Sequence, residues 1–233
     1  MLDRPDKRNA LTPDALANLE EIARHVRAGC GRADALVLAG SGPVFCAGFD
    51  LHLCRDDPGV SAALMERLSR AIRSLRSLPT PVVVAAHGAA IAGGCALLGG
   101  ADVVVTDRSA RLGYPVVRLG MSPAVSGPTL SRMVPGGALR RLLLDPGLID
   151  GVEAARVGLA HRLVDSPDEA LPQALEIAEA LASKPTPGLH TTKRWLNEID
   201  GTDQPALFET ALAASLGLVG RDEERARLAT TTK

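Results

Sequence analysis

Apolar positions change their period along the chain, and the change divides it into elements. Leu16, Leu19, Ile22, Ala23 and Val26 recur at helical spacing, which predicts an amphipathic helix near the N-terminus. Thr12-Pro13-Asp14 supplies its start (an N-cap hydroxyl, a proline in the first turn and an acid at the positive end), and Gly29 stops it. ALVLAG (35–40) is short, continuous and apolar, the signature of a buried strand. A Gly- and Pro-rich loop follows, and helical spacing returns over 61–78 through Leu64, Leu68, Ile72 and Leu75 until Pro79. PVVVAAHG (81–88) and DVVVT (102–106) read as two further buried strands and ARLGYP (110–115) as a short fourth. The remainder reads as helical. Asp150 caps a helix through Glu153, Ala154 and Val157; others are expected over 167–183 and 187–198, with a last pair over 204–230.

Strand–helix alternation in the first half and helices in the second predict an α/β core, residues 1–150, and a helical region, 151–233. Composition narrows the class. The chain is 46% hydrophobic but only 2% aromatic, so its core must be built from Leu, Val, Ala and Ile. A net charge of −1 gives no pointer to a nucleic-acid or membrane-surface binder. No apolar run approaches the roughly 18 residues of a membrane span, and the N-terminus lacks an apolar signal core, so a cytoplasmic protein is expected. Cys30, Cys46, Cys54 and Cys95 show no metal-type spacing and read as buried, reduced thiols.

Two glycine-rich turns follow buried strands: GSGPVFCAGFDLH (40–52) and HGAAIAGGCALL (87–98). Gly40-Ser41-Gly42 superficially suggests a dinucleotide turn, but Pro43 and VFCAG follow where the helix should begin, and no third glycine falls at the required spacing. Two readings remain open from the residues alone. Either the glycines serve only tight turns and close packing, or their backbone N–H groups converge on developing negative charge as an oxyanion hole.

Several stretches together resemble the crotonase superfamily, also called the enoyl-CoA hydratase/isomerase family: DRPDKRNALT (3–12), GPVFCAGFDL (42–51), PVVVAAHGAAIAGGCALLGGADVVV (81–105), LIDGVEAARVGLAHRLVD (148–165) and KPTPGLHTTKRWLN (184–197). They cover nearly the whole chain in order. Met1 and Leu2 stand where the family has a strand before its DRP-like motif, so the N-terminus reads as shortened. The resemblance implies a ββα superhelix with two roughly perpendicular sheets, a C-terminal helical trimerisation region, and assembly as a homotrimer or dimer of trimers. It implies an acyl-CoA substrate, with coenzyme A entering as part of that substrate and no permanently bound cofactor or metal. The backbone N–H groups of Phe49 and Gly93 would form the oxyanion hole. Lys7, Arg8, Ala10, Ala47, Gly48, Asp50, Leu51 and Gly94 would contact coenzyme A; on the residues alone Lys7 and Arg8 are a solvated basic pair.

The same resemblance exposes a departure. Family hydratases carry one glutamate on the helix after the second glycine turn and another after a proline further on. Ala96 and Val116 stand at those positions, and a later position where some members have Asp falls near Ala124. Apolar side chains cannot transfer protons, so ordinary enoyl-CoA hydration is not expected. Relocated groups are one answer: Asp50, His52, His87, Tyr114 and Arg118 are candidates. Their plainer roles are a helix N-cap, a solvent-facing side chain, a backbone hydrogen bond, a pocket wall, and a partner for a carboxylate or phosphate. A reaction needing only enolate stabilisation, decarboxylation of a malonyl-type acyl-CoA, is a second answer. A catalytically inactive acyl-CoA-binding scaffold is a third.

Overall fold

The computed structural model of the protein describes residues 1–29, 33–145 and 147–231; Cys30 lies outside the described residues. In chain order the elements are α1 (Pro13–Arg27), β1 (Leu36–Ala39), α2 (Leu51–Asp56), α3 (Pro58–Arg76), β2 (Val82–Ala86), β3 (Ala89–Ile91), α4 (Gly93–Leu97), β4 (Val103–Asp107), β5 (Arg111–Gly113), α5 (Gly127–Met133), α6 (Gly136–Leu144), β6 (Ile149–Asp150), α7 (Gly151–Arg156), β7 (Arg162–Val164), α8 (Ala170–Ala182), α9 (Thr186–Asp200), α10 (Pro205–Leu216) and α11 (Asp222–Thr231).

One sheet has the order β1-β2-β4-β7 and is parallel throughout. A smaller sheet has the order β3-β5-β6, with β3 parallel and β6 antiparallel to β5. Strand β2 is buried along its whole length, as its unbroken apolar sequence requires of an inner parallel strand. Its side chains alternate between two cores. Val82, Val84 and Ala86 join the main core with α3 and α4, while Val83 and Ala85 pack against Ala170, Ala174 and Ala178 of α8. Three alanines at i, i+4 and i+8 give α8 a flat, small-residue face.

The caps follow local chemistry. Thr12 Oγ1 accepts from the Ala15 N–H at 3.1 Å, and Asp150 Oδ1 accepts from the Glu153 N–H at 2.8 Å, as their positions predict. Ile22 departs from the expected buried stripe of α1 and is 44% exposed, while Leu16, Leu19 and Ala23 are buried. The periodicity also conceals three short strands, β3, β6 and β7. Each has only two or three residues, too few to show an alternation. Strand β7 pairs with β4, so the chain beyond residue 150 contributes to the sheet as well as to the helices.

Helix α9 is held to the core by polar groups. Lys193, 6% exposed, donates from Nζ to Asp102 Oδ2 at 2.6 Å and to the Thr80 carbonyl at 2.9 Å. Burial lowers its pKa and the Asp102 carboxylate opposes that shift. Asn197 donates to the Arg76 carbonyl at 3.0 Å. Lys193→Met keeps the apolar stem but leaves Asp102 with the Val82 N–H as its remaining recorded partner. Chemical denaturation should show a loss of about 2–3 kcal/mol, below the range for a fully enclosed pair because Asp102 stays partly exposed.

His161 sits where β4 meets β7. Its Nδ1 accepts from the Val104 N–H at 2.9 Å, and the His161 backbone N–H donates to the Val104 carbonyl at 2.8 Å. Accepting at Nδ1 requires a neutral ring. The residue as a whole is exposed, but desolvation of the ring where it meets β4, followed by the charge of Arg76, lowers its pKa from 6.5. Below that value the unfolded chain binds a proton that the folded chain resists, so stability falls as pH drops from 6.5 towards the folded pKa. His161→Gln, whose amide oxygen can accept the same N–H, should flatten this part of a denaturation-versus-pH curve. An unchanged slope counts against the assignment.

Candidate active site

The site begins with the tight folding of the KRNA loop. Arg8 and Asn9 both adopt left-handed backbone, with φ of 52° and 55°. This turns the Asn9 side chain inward, where it donates to the carbonyls of Ser41 and Val44 at 2.8 and 2.9 Å and accepts from the Arg4 N–H at 2.8 Å. The loop is thereby clamped to the first glycine turn. That turn is stitched to the second: the Cys46 N–H donates to the Ala89 carbonyl, the Ile91 N–H donates to the Cys46 carbonyl, both at 3.0 Å, and the Phe45 N–H donates to the His87 carbonyl at 2.8 Å.

Gly48 stands at the closest approach, with φ +97°. A Cβ there would lie 3.0 Å from the Ile91 carbonyl oxygen, 3.1 Å from Ala92 Cβ and 3.6 Å from the Gly93 nitrogen. The next residue, Phe49, bridges Leu11: the Leu11 N–H donates to the Gly48 carbonyl and the Asp50 N–H to the Leu11 carbonyl. Successive N–H groups alternate sides in extended chain, so the Phe49 N–H points away from Leu11. Gly93 opens α4, where the first N–H groups have no intrahelical acceptor. Among the described residues neither the Phe49 nor the Gly93 N–H has a recorded acceptor.

Phe49 and Gly93 line one cavity of about 140 Å³. Ala96 and Val116 line it too, and so do Ala47 and Leu51. Its polar side chains are Tyr114, Ser122 and Ser126; the others are apolar, and no Asp, Glu, His, Lys or Arg is among them. Burial, with the neighbouring Cys95 thiol, pushes the Tyr114 phenol well above 10, while the Ser126 hydroxyl acts in the opposite sense. The phenol is therefore neutral at ordinary pH. Burial raises the Cys54 thiol and pushes those of Cys46 and Cys95 up to about 12, so none of the three is a thiolate near neutrality.

A hydratase/isomerase relationship is decided by sequence. A family model described as enoyl-CoA hydratase/isomerase matches residues 1–211. The chain belongs to the enoyl-CoA hydratase/isomerase family. Relatives within it include a crotonyl-CoA hydratase of Syntrophomonas wolfei, 31% identical over 205 residues that cover 87% of this chain and 78% of that protein. Another is a 1,2-epoxyphenylacetyl-CoA isomerase of Escherichia coli, 33% identical over 209 residues, 85% of this chain and 78% of the other. The crystal structure of an enoyl-CoA hydratase/isomerase from Mycobacterium paratuberculosis superposes with a TM-score of 0.88 at 25% identity, covering 97% of this chain and 91% of that one. The fold is thus that of the crotonase superfamily. Relatives named for hydration and for isomerisation stand at similar identity, so membership leaves the reaction open.

Within this family member most relocated acid–base candidates are elsewhere. The Asp50 carboxylate does not cap α2, although it occupies the N-cap position; Arg4 draws it away in a 3.1 Å ion pair. His52 and Arg118 are exposed and line no part of the cavity. His87 is buried with its Nε2 2.9 Å from the Gly42 carbonyl oxygen, serving the first glycine turn. Tyr114 alone of the five faces the cavity. Lys7 and Arg8 are exposed, Ala10 is half-buried and its carbonyl accepts from Arg4 at 2.8 Å. Gly94 packs so closely on Cys46 that a Cβ would meet its carbonyl oxygen at 2.5 Å. Ala124 does not line the cavity, but its neighbours Ser122, Pro123, Val125 and Ser126 do. Those residues, with Met65 and Leu68 of α3, carry no motif. For Leu68 the only signal is an apolar helical stripe, indistinguishable from core, and Met65 lies outside that stripe.

Proposed function

We propose that the protein binds acyl-CoA thioesters, stabilises the thioester enolate with the backbone N–H groups of Phe49 and Gly93, and forms that enolate by decarboxylating a malonyl-type substrate. One observation carries the reading: the cavity that holds both unpartnered donors is lined by no carboxylate, imidazole or ammonium group. Hydration needs a base for water and an acid for the α-carbon. Decarboxylation needs neither at its first step. The bond from the α-carbon to the carboxylate breaks, its electron pair moves into the thioester, negative charge builds on the thioester oxygen between the two donors, and carbon dioxide leaves. The α-carbon then takes a proton from water. An apolar wall at Ala96 and Val116 disfavours the charged carboxylate before it leaves, which helps its departure.

The exposed Lys7 and Arg8 suit the phosphates of coenzyme A. A homotrimer or dimer of trimers belongs to the same proposal and is supported by the exposed Trp195, Leu196 and Ile199 of α9, 58%, 50% and 61% accessible. The test is release of carbon dioxide from malonyl- and methylmalonyl-CoA, with appearance of the matching acyl-CoA. Stoichiometric release supports the decarboxylase. Tight binding of both thioesters with no release supports an inactive scaffold instead.

A further inference from the structure

We propose that the groove between α1 and α3 is a binding site for a small phosphate-bearing anion, with a diphosphate as the best match. The groove encloses about 750 Å³ and is separate from the acyl cavity, sharing none of its lining residues. Arg24 and Arg27 reach into it from α1, and Arg67, Arg70 and Arg73 from α3. Against these five guanidinium groups stand Glu20, Glu21 and Asp203. The groove is therefore positive by two charges on a chain whose net charge is −1.

Ion pairing uses up only part of the set. Glu20 takes Arg70 at 3.1 Å and Arg67 at 3.9 Å, and Glu21 takes Arg24 through two contacts of 2.5 and 2.8 Å. Arg27 and Arg73 have no carboxylate partner among the described residues, and Asp203 makes no ion pair there. Both line the groove, and Arg27 is tied to the end of α3. Arg27 crosses from α1 to donate to Ser77 Oγ at 2.5 Å, and Ser77 Oγ donates to the Arg73 carbonyl at 2.8 Å. Arg73 and Ser77 are four residues apart, on one face of the same helical segment. Arginines in a last turn also offset the helix dipole, but that role does not require arginines of two helices to line one groove. Five arginines along one groove against three carboxylates repel one another, and a bound anion relieves that repulsion. Planar guanidinium forks, with Ser74 beside them, match phosphate oxygens, which accept bidentate bonds.

Calorimetric titration with sodium pyrophosphate, against sodium chloride at matched ionic strength, tests the site. Saturable one-to-one binding is expected, weakened at least about tenfold by Arg27→Gln with Arg73→Gln. Arg27→Lys with Arg73→Lys keeps the charge and should recover only part of it, because the fork is lost. Lys7→Gln with Arg8→Gln should leave it intact, which separates this groove from the surface proposed for coenzyme A. Thermal melts of each variant establish that the fold is retained. No saturable binding up to about 10 mM, equal binding by the glutamine pair, or loss in the Lys7/Arg8 variant would each overturn the proposal.

Discussion

Gly48→Ala should lower turnover of the best acyl-CoA substrate by about 10²- to 10³-fold, the typical cost of losing one oxyanion-hole donor. Alanine at φ +97° is strained. Its Cβ would also press on the Ile91 carbonyl and on Ala92 Cβ, at 3.0 and 3.1 Å. Both neighbours belong to the turn that presents Gly93, so the two turns must separate, and the Phe49 N–H moves with the first. The loss should fall on kcat, since the donor acts on charge that develops during reaction. Gly93→Ala is the comparison. Its Cβ would meet the Phe49 ring at 3.0 Å and Leu11 Cδ1 at 3.1 Å, side-chain atoms that can shift, so a smaller loss is expected. Unchanged kcat in Gly48→Ala, with the fold confirmed by circular dichroism, would remove these N–H groups from the mechanism.

Crotonyl-CoA hydration, followed by loss of the enone absorbance, should be slower than in a glutamate-bearing relative by about 10⁴-fold or more, because each missing proton-transfer group is worth about 10²–10⁴. Ala96 and Val116 both line the cavity, so a glutamate at each would project into it. Ala96→Glu with Val116→Glu should raise hydration at least about tenfold above the parent, a modest part of one proton-transfer contribution. Both carboxyls enter an apolar enclosure, which raises their pKa and favours the acid role over the base role. Ordinary hydration by the parent chain would mean that water and Tyr114 suffice, and the decarboxylase reading would fall. Carbon dioxide release with the parent and hydration with the double variant would locate the difference between the two reactions at these positions.

Much of the fold was legible because its signals are local. A short apolar run as rich in valine as PVVVAA, bounded by turn residues, reads as an inner strand, and Thr12 or Asp150 before a helical stripe can satisfy an N–H within the same turn. Short strands β3 and β7 were not legible, since three residues have no period and take their conformation from the neighbours they pair with. The site was legible where a backbone constraint reads directly as glycine. Asp50 misled because sequence shows the N-cap position but not Arg4, 46 residues away, which takes the carboxylate. Lys193 looks like a surface residue in the sequence; only the approach of Asp102 accounts for its burial.

By itself the sequence determined the family, the two glycine turns and the absence of acids at positions 96 and 116. Each is a matter of residue type at a fixed spacing. Tertiary structure decided that Phe49, Gly93, Ala96, Val116 and Tyr114 share one enclosure and that His52 and Arg118 stay outside it. The enclosure's walls come from segments as far apart as residues 47 and 126, and only folding brings them together. The apolar character of that enclosure is then a property of a surface rather than of any motif.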